Sequence, residues 1–302
     1  MKKISKTLVF FGSGPVASAS LEFLISTYGV SAVVTKQKPA HHSDPAPVEE
    51  LAKNHNIPLF YANTPAELDI VASGIHCQNS CGVVIDYGVI ISQNIIDRFD
   101  HKIINSHFSL LPEWRGADPI TYALLSGQTK TGVCLMELSQ GLDTGNIIAF
   151  STVDIGPTEN SSSLTGKLIT TSNRLINENL GLYLDGKISP EPQQTSVIAT
   201  YSKKVSKKDG QISWAKPATV IEREIRAYNV WPKNHCLLGD IKVVLSKCQV
   251  SNRQIEIGEL LVGAKSLSIG CSVGSLDILE LVPLGKQKMS AAAFINGYRS
   301  KL

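Results

Sequence analysis

The 302-residue chain has no apolar run approaching the ~20 residues that a membrane-crossing helix needs, which excludes a spanning segment. Its 23 glycines and 14 prolines follow no period, so collagen-like and linker-like chains are excluded as well. Cysteine is sparse and scattered. Cys77 and Cys81 stand close together, but Cys134, Cys236, Cys248 and Cys271 lie singly, without the second close pair or Cys/His set of a zinc site. Free thiols of a reducing compartment are expected, and no metal. Lys2, Lys3 and Lys6 ahead of Leu8-Val9-Phe10-Phe11 imitate a secretory signal. The apolar stretch falls short of the ~7–15 residues such a signal requires, and reads better as a first strand. No serine or cysteine sits in the setting of a nucleophile elbow. A soluble, cytoplasmic protein without membrane contact is expected.

What is present is the composition of a globular enzyme, 43% hydrophobic and 18% charged. The first part alternates β-branched runs with helical spacing: strands at 7–11, 31–35, 82–85, 102–107 and 132–138, helices at 16–26 and 48–55, and a long helix at 164–184. Apolar strands separated by helices predict a mostly parallel sheet covered on both faces. Residues 185–199, with Gly186, Pro190 and Pro192, read as a linker. Beyond them, short strands at 242–248 and within 255–282, punctuated by Gly258, Gly263, Gly270 and Gly274, predict a small antiparallel barrel. Charge divides the same way. Residues 1–199 hold 13 Lys+Arg against 18 Asp+Glu, and residues 200–302 hold 16 against 8. A basic tail with Lys203, Lys204, Lys207 and Lys208 suits either a polyanion surface or a solvated cluster.

Gly12-x-Gly14-x-x-Ala17, after a strand and opening a helix, matches a dinucleotide fingerprint. The second strand nevertheless ends in Thr35-Lys36-Gln37, without the acid that would hold a ribose, so a nicotinamide-dependent oxidoreductase ranks last. The densest chemistry lies between Asn105 and Gly145. Asn105 and His107 are two apart at the end of a strand and share a face. Asp143 lies in the glycine-flanked Gly141-Leu-Asp-Thr-Gly145. Histidine can exchange a proton, aspartate can orient it and hold its charged form, and the asparagine amide can stabilise an oxyanion. Together they supply what acyl transfer to an amine requires, without a covalent enzyme intermediate.

Asn105-Ser-His107-Phe-Ser109-Leu110-Leu111-Pro112-Glu-Trp114-Arg115-Gly116, followed by Thr131-Gly132-Val and Gly141-Leu-Asp143-Thr-Gly145, resembles the formyltransferases that use 10-formyltetrahydrofolate. The resemblance implies that Asn105, His107 and Asp143 are catalytic. It also implies that Ser109, Leu110, Leu111 and Pro112 line the folate pocket. Val9 to Pro15, Pro47 to Ala52 and Tyr87-Gly88 resemble the branch of the family whose acceptor is methionyl-initiator tRNA. So do Thr200-Tyr201-Ser-Lys-Lys204, Ile212-Ser-Trp214, the 225–232 run ending in Val230-Trp231-Pro232, and Gly285-Lys286-x-Lys288-Met289-Ser290.

The expected architecture is α/β: a Rossmann-like catalytic domain over 1–185, a linker over 186–204 and an OB-like β-barrel, tRNA-binding, over 205–302. The expected donor is 10-formyltetrahydrofolate and the expected state a monomer. Three features depart from the family pattern. The Lys36–Pro47 loop is short, with Lys38, His41 and His42 but no arginine. Asp86 stands where alanine is common, and Glu113 where a basic residue is frequent. The short loop keeps open a formyltransferase of nucleotide-linked amino sugars as the alternative, and a non-catalytic RNA-binding protein is the reading from a different class.

Overall fold

The computed structural model describes residues 6–38 and 46–302. His41 and His42 therefore lie outside the described residues. The chain divides into two units: residues 1–119, 130–154 and 165–202 in the first, and 120–129, 155–164 and 203–302 in the second.

In the first unit the apolar runs form strands and the amphipathic stretches form helices. They are β1 (Thr7–Gly12), α1 (Gly14–Thr27), β2 (Ala32–Thr35), α2 (Pro47–Asn54), β3 (Leu59–Tyr61), α3 (Pro65–Ala72), β4 (Ser80–Ile85), α4 (Gln93–Ile96) and β5 (Ile103–His107). The short β6 (Arg115–Gly116), β7 (Lys130–Glu137), β8 (Ile147–Asp154), the long α6 (Ser161–Leu184), whose first turn belongs to the second unit, and the short β9 (Tyr201–Ser202) follow, while α5 (Pro119–Ser126), between β6 and β7 in the chain, falls in the second unit from residue 120 on. The seven-stranded sheet runs β3-β2-β1-β4-β5-β7-β8. Pairings from β3 to β5 are parallel, whereas β7 and β8 join antiparallel. Every residue of β2 and β4 is buried, as expected for strands covered on both faces. Leu21 and Leu24, the pair expected on one side of α1, are both buried.

β3 and β8 escape the sequence reading for physical reasons. β3 has three residues, too few to show a period, and β8 lies at the sheet's end with alternating exposure. Such an end strand carries polar residues that break an apolar run. The order reverses at β1, which has β2 on one side and β4 on the other, and the carboxyl ends there border the crevice where open α/β sheets bind ligands.

In the second unit α7 (Ala218–Ala227) precedes β10 (His235–Leu238), β11 (Ile241–Ser251), β12 (Leu260–Val262), β13 (Leu267–Gly270), β14 (Ser275–Pro283), β15 (Met289–Ser290) and α8 (Ala291–Tyr298). The antiparallel sheet is ordered β10-β11-β14-β13-β12, with β15 on β14. A bulge in β11 after Leu245 increases the local twist, and the sheet curls as a half-barrel, the small barrel expected. Ile221, Ile225, Leu245, Leu276, Leu281 and Phe294 fill its core. Five cysteines are buried and Cys248 is half-buried, and all are free.

Candidate active site

The site is built at the end of β5. Strand periodicity turns Asn105 and His107 to one face and sends Ser106 to the other, where its hydroxyl meets that of Ser172 on α6 at 2.7 Å. His107 is buried, with 6% of its side chain exposed, and Asp143 is nearly so at 12%. The three sequence-derived residues come together. Asp143 Oδ2 lies 3.7 Å from His107 Nδ1, and the Asn105 amide reaches Asp143 Oδ1 at 3.5 Å.

The histidine is held from its other side. His107 Nε2 lies 3.0 Å from the Trp114 carbonyl oxygen, which can only accept, so Nε2 carries the hydrogen. Nδ1 is left with its lone pair towards Asp143. Burial lowers the His107 pKa from its ordinary value, and the Arg115 charge acts in the same direction. The Asp143 carboxylate and the Trp114 carbonyl oppose the shift without reversing it. The imidazole is therefore neutral at pH 7, with a carboxylate poised to stabilise it once it takes a proton.

Two residues in this site adopt the left-handed backbone that costs non-glycine residues energy, Trp114 at φ 54° and Asp143 at φ 50°. Each is held by several bonds. Gly116 N–H donates to Asp143 Oδ2 at 2.8 Å, and Trp114 N–H donates to Thr200 Oγ1 at 2.9 Å. Gly145 closes against the Glu137 carbonyl so tightly that any Cβ there would collide with it.

Of the four residues expected at a folate pocket, Ser109 and Pro112 are buried, whereas Leu110 and Leu111 keep part of their surface accessible. The Ser109 hydroxyl donates to the Glu113 carbonyl at 2.5 Å and so shapes the loop. Leu110 packs over Gly132, where a side chain would overlap it. Leu111 N–H points to Cys134 Sγ at 3.3 Å. Inside the same loop the buried Arg115 Nε has no hydrogen-bond partner among the described residues, a donor suited to an acceptor-rich ligand.

The Gly12-x-Gly14 turn is occupied by its own neighbours. Ser13 N–H donates to the Asp86 carbonyl at 3.0 Å, and the Ser13 hydroxyl accepts from Lys36 N–H at 3.0 Å. The accessible Asp86 carboxyl, on a residue with φ 48°, stands beside Gly14. Desolvation by the surrounding chain raises its pKa to about 6, with Lys36 opposing and Asp118 reinforcing the shift. At pH 7 a phosphate at this turn would face that carboxylate, which counts further against a dinucleotide. Among the described residues no group of His, Cys, Asp and Glu could hold a metal ion, and no helix is long and apolar enough to cross a membrane.

Sequence reasoning missed Gln193, because residues 185–199 carry no strand or helix pattern, and it placed Thr200 in a family-like run without a part in this site. The sole signal was polar content next to Pro190 and Pro192, which also describes an ordinary linker.

A buried histidine thus stands beside a carboxylate and an amide at the carboxyl end of a Rossmann-like sheet, an arrangement with acid–base capacity. Residues 6–180 match the family described as formyl transferase, and residues 204–299 match the formyl transferase C-terminal domain. The chain belongs to the formyltransferase family and is a one-carbon transferase. It is 33% identical over 301 residues to the methionyl-tRNA formyltransferase of Geobacter sulfurreducens, covering 97% of this chain and 94% of the relative. To that of Myxococcus xanthus it is 34% identical over 302 residues, covering 97% and 95%. The N-formyltransferase of Helicobacter canadensis, solved with folinic acid and dTDP-3-aminofucose, shares the fold with a TM-score of 0.70 at 18% identity, covering 94% of this chain and all of that one. HypX of Aquifex aeolicus, solved with tetrahydrofolic acid, has a TM-score of 0.61 at 15% identity, covering 96% of this chain and 46% of that one.

Proposed function

We propose that the chain transfers the formyl group of 10-formyltetrahydrofolate to the α-amine of methionyl-initiator tRNA. The observation that carries the reaction type is the meeting of Asn105, neutral His107 and Asp143 at the end of β5. Likeness over nearly the whole chain to relatives named for that substrate supports the acceptor. The sugar-modifying neighbours support the fold alone at their identity.

The residues present suit a reduced folate. Leu110 and Leu111 offer accessible apolar surface, Ser109 and Pro112 shape the loop beneath them, and Arg115 Nε offers an unpaired donor. Bound there, the folate supplies the formyl carbon and a nitrogen leaving group. An α-amine titrates near ~8 and lower beside an ester, so much of the acceptor is already neutral at pH 7. As the amine forms its bond to the formyl carbon, His107 Nδ1 takes the amine proton. Asp143, 3.7 Å away, stabilises the imidazolium that results. The Asn105 amide donates one hydrogen towards Asp143 and has a second for the oxygen that gains negative charge. His107 then returns its proton to the departing nitrogen. Trp114 keeps the ring in the required tautomer throughout.

The test uses site variants with donor binding as a control. Asn105→Ala is expected to lower kcat about 10²–10³-fold. His107→Ala is expected to lower it about 10²–10⁴-fold. Folate affinity should stay within a few-fold of wild type in both. Wild-type turnover in the His107 variant would remove the assigned roles.

A further inference from the structure

Gln193 lies in the segment that joins the two family-matched regions, outside both of them, yet its side chain reaches into the loop that carries Asp143. Its amide nitrogen donates to the Asp143 carbonyl at 2.7 Å and to the Gly145 carbonyl at 3.0 Å. Its amide oxygen accepts from Arg115 Nη2 at 2.5 Å. The next residue, Gly116, donates its N–H to the Asp143 carboxylate at 2.8 Å. Gln193, Arg115, Gly116 and Asp143 thus close a ring that grips Asp143 by its backbone and its carboxylate together.

The segment around Gln193 is itself fixed at both ends. Upstream, Glu191 and Ile147 exchange backbone hydrogen bonds of 2.7 and 2.9 Å at the start of β8. Downstream, Thr200 accepts from Arg115 N–H at 2.9 Å and donates to the Pro112 carbonyl at 3.2 Å, and β9 pairs with β6. A residue held at φ 50° on a loop whose neighbours Leu142 and Thr144 are exposed needs such outside support, because its own backbone favours other conformations.

We infer that Gln193 is a positioning residue of this enzyme, setting the distance between Asp143 and His107 through the two Asp143-loop carbonyls that it binds. The inference rests on the reading of Asp143 as the group that stabilises protonated His107. When the clamp is lost, the carboxylate moves away and protonation of His107 becomes harder still. The rate of the proton transfer then falls.

Gln193→Met keeps the length of the side chain and removes all three hydrogen bonds. Gln193→Glu keeps the acceptor for Arg115 and removes both donations. Steady-state kinetics and the His107 titration followed by NMR on the full-length chain separate the possibilities. Both variants are expected to lose about tenfold or more in kcat, and in Gln193→Glu, which keeps the Arg115 anchor, KM for donor and acceptor should stay within about twofold of wild type. Gln193→Met, which introduces no charge, is also expected to move the His107 pKa below the wild-type value. Wild-type kcat in both variants, or an unmoved titration in Gln193→Met, would overturn the inference. Wild-type kcat in Gln193→Glu alone would also overturn it, since the residue would then serve only to anchor Arg115. If the wild-type enzyme itself formylates no amine, the functional reading falls. The titration still decides whether Gln193 sets the Asp143–His107 pair.

Discussion

At the residue scale, the proposed chemistry turns on a histidine kept neutral by burial and a carboxylate kept within reach of it. His107 has a folded pKa below its unfolded value of ~6.5, because the charged ring loses more hydration than Asp143 returns. Followed by NMR in the free enzyme, His107 should therefore take up its proton below pH 6.5, while the activity profile also carries the protonation of the acceptor amine. A His107 titration centred at pH 6.5 or above would contradict its assignment as a base kept neutral by burial. The same shift has a consequence for stability. Below pH 6.5 the unfolded chain takes up the proton before the folded one does, so protonation favours unfolding and stability declines as pH falls. Asn105, His107 and Asp143 were legible in the sequence because a two-residue strand spacing and a glycine-flanked aspartate both leave a pattern. The bond from His107 to the Trp114 carbonyl was not, since a backbone oxygen has no sequence signature. Tyr228 is buried as a helix-end aromatic should be, whereas Trp231 is 56% exposed.

At the scale of elements, the site depends on two loops that leave the same part of the sheet. Residues 108–114 follow β5, and residues 138–146 connect β7 to β8. Gly145, in the second loop, lies too close to the Glu137 carbonyl of β7 to carry a side chain. Gly145→Ala is expected to push the loop away from Glu137, at a cost of about 1–3 kcal/mol in stability and with a larger proportional loss in kcat. Thermal melting and turnover measured on the same sample check this. An alanine variant with wild-type turnover would show that the Asp143 loop is not held there. The long helices and buried strands were readable because their apolar residues repeat at 3.6 or run continuously. β6 and β9 were not, since two-residue strands have no period and exist only because residues far apart in the chain pair with each other.

At the scale of the whole molecule, the basic character of residues 200–302 suits the anionic acceptor proposed. Lys203, Lys204, Lys207, Lys208 and Lys233 are exposed, and the exposed Trp231 directly precedes the Pro232–Lys233 turn that packs on the 207–210 turn. Arg226 does not belong with them. Its guanidinium is committed to Glu222 at 2.7 Å and to the Glu159 carbonyl at 3.0 Å, so it serves the fold of its unit. Affinity for charged tRNA should fall steeply with salt. Lys207→Ala or Lys208→Ala should lessen the log–log slope by about one each, while Arg226→Ala leaves it unchanged and lowers thermal stability instead. Binding titrations across a salt series check the point, and a flat profile would remove the basic tail as the RNA surface.

The charge division was visible in composition alone, but which cations are free to bind depends on folding, which alone decides that Arg226 finds an acidic partner. The most direct measurement is formyl transfer from 10-formyltetrahydrofolate to three acceptors side by side: charged initiator tRNA, charged elongator tRNA and a nucleotide-linked amino sugar. Transfer to the initiator tRNA, with the other two at background, is expected. Transfer to the amino sugar alone would keep the chemistry of Asn105, His107 and Asp143 and contradict the assignment of the substrate.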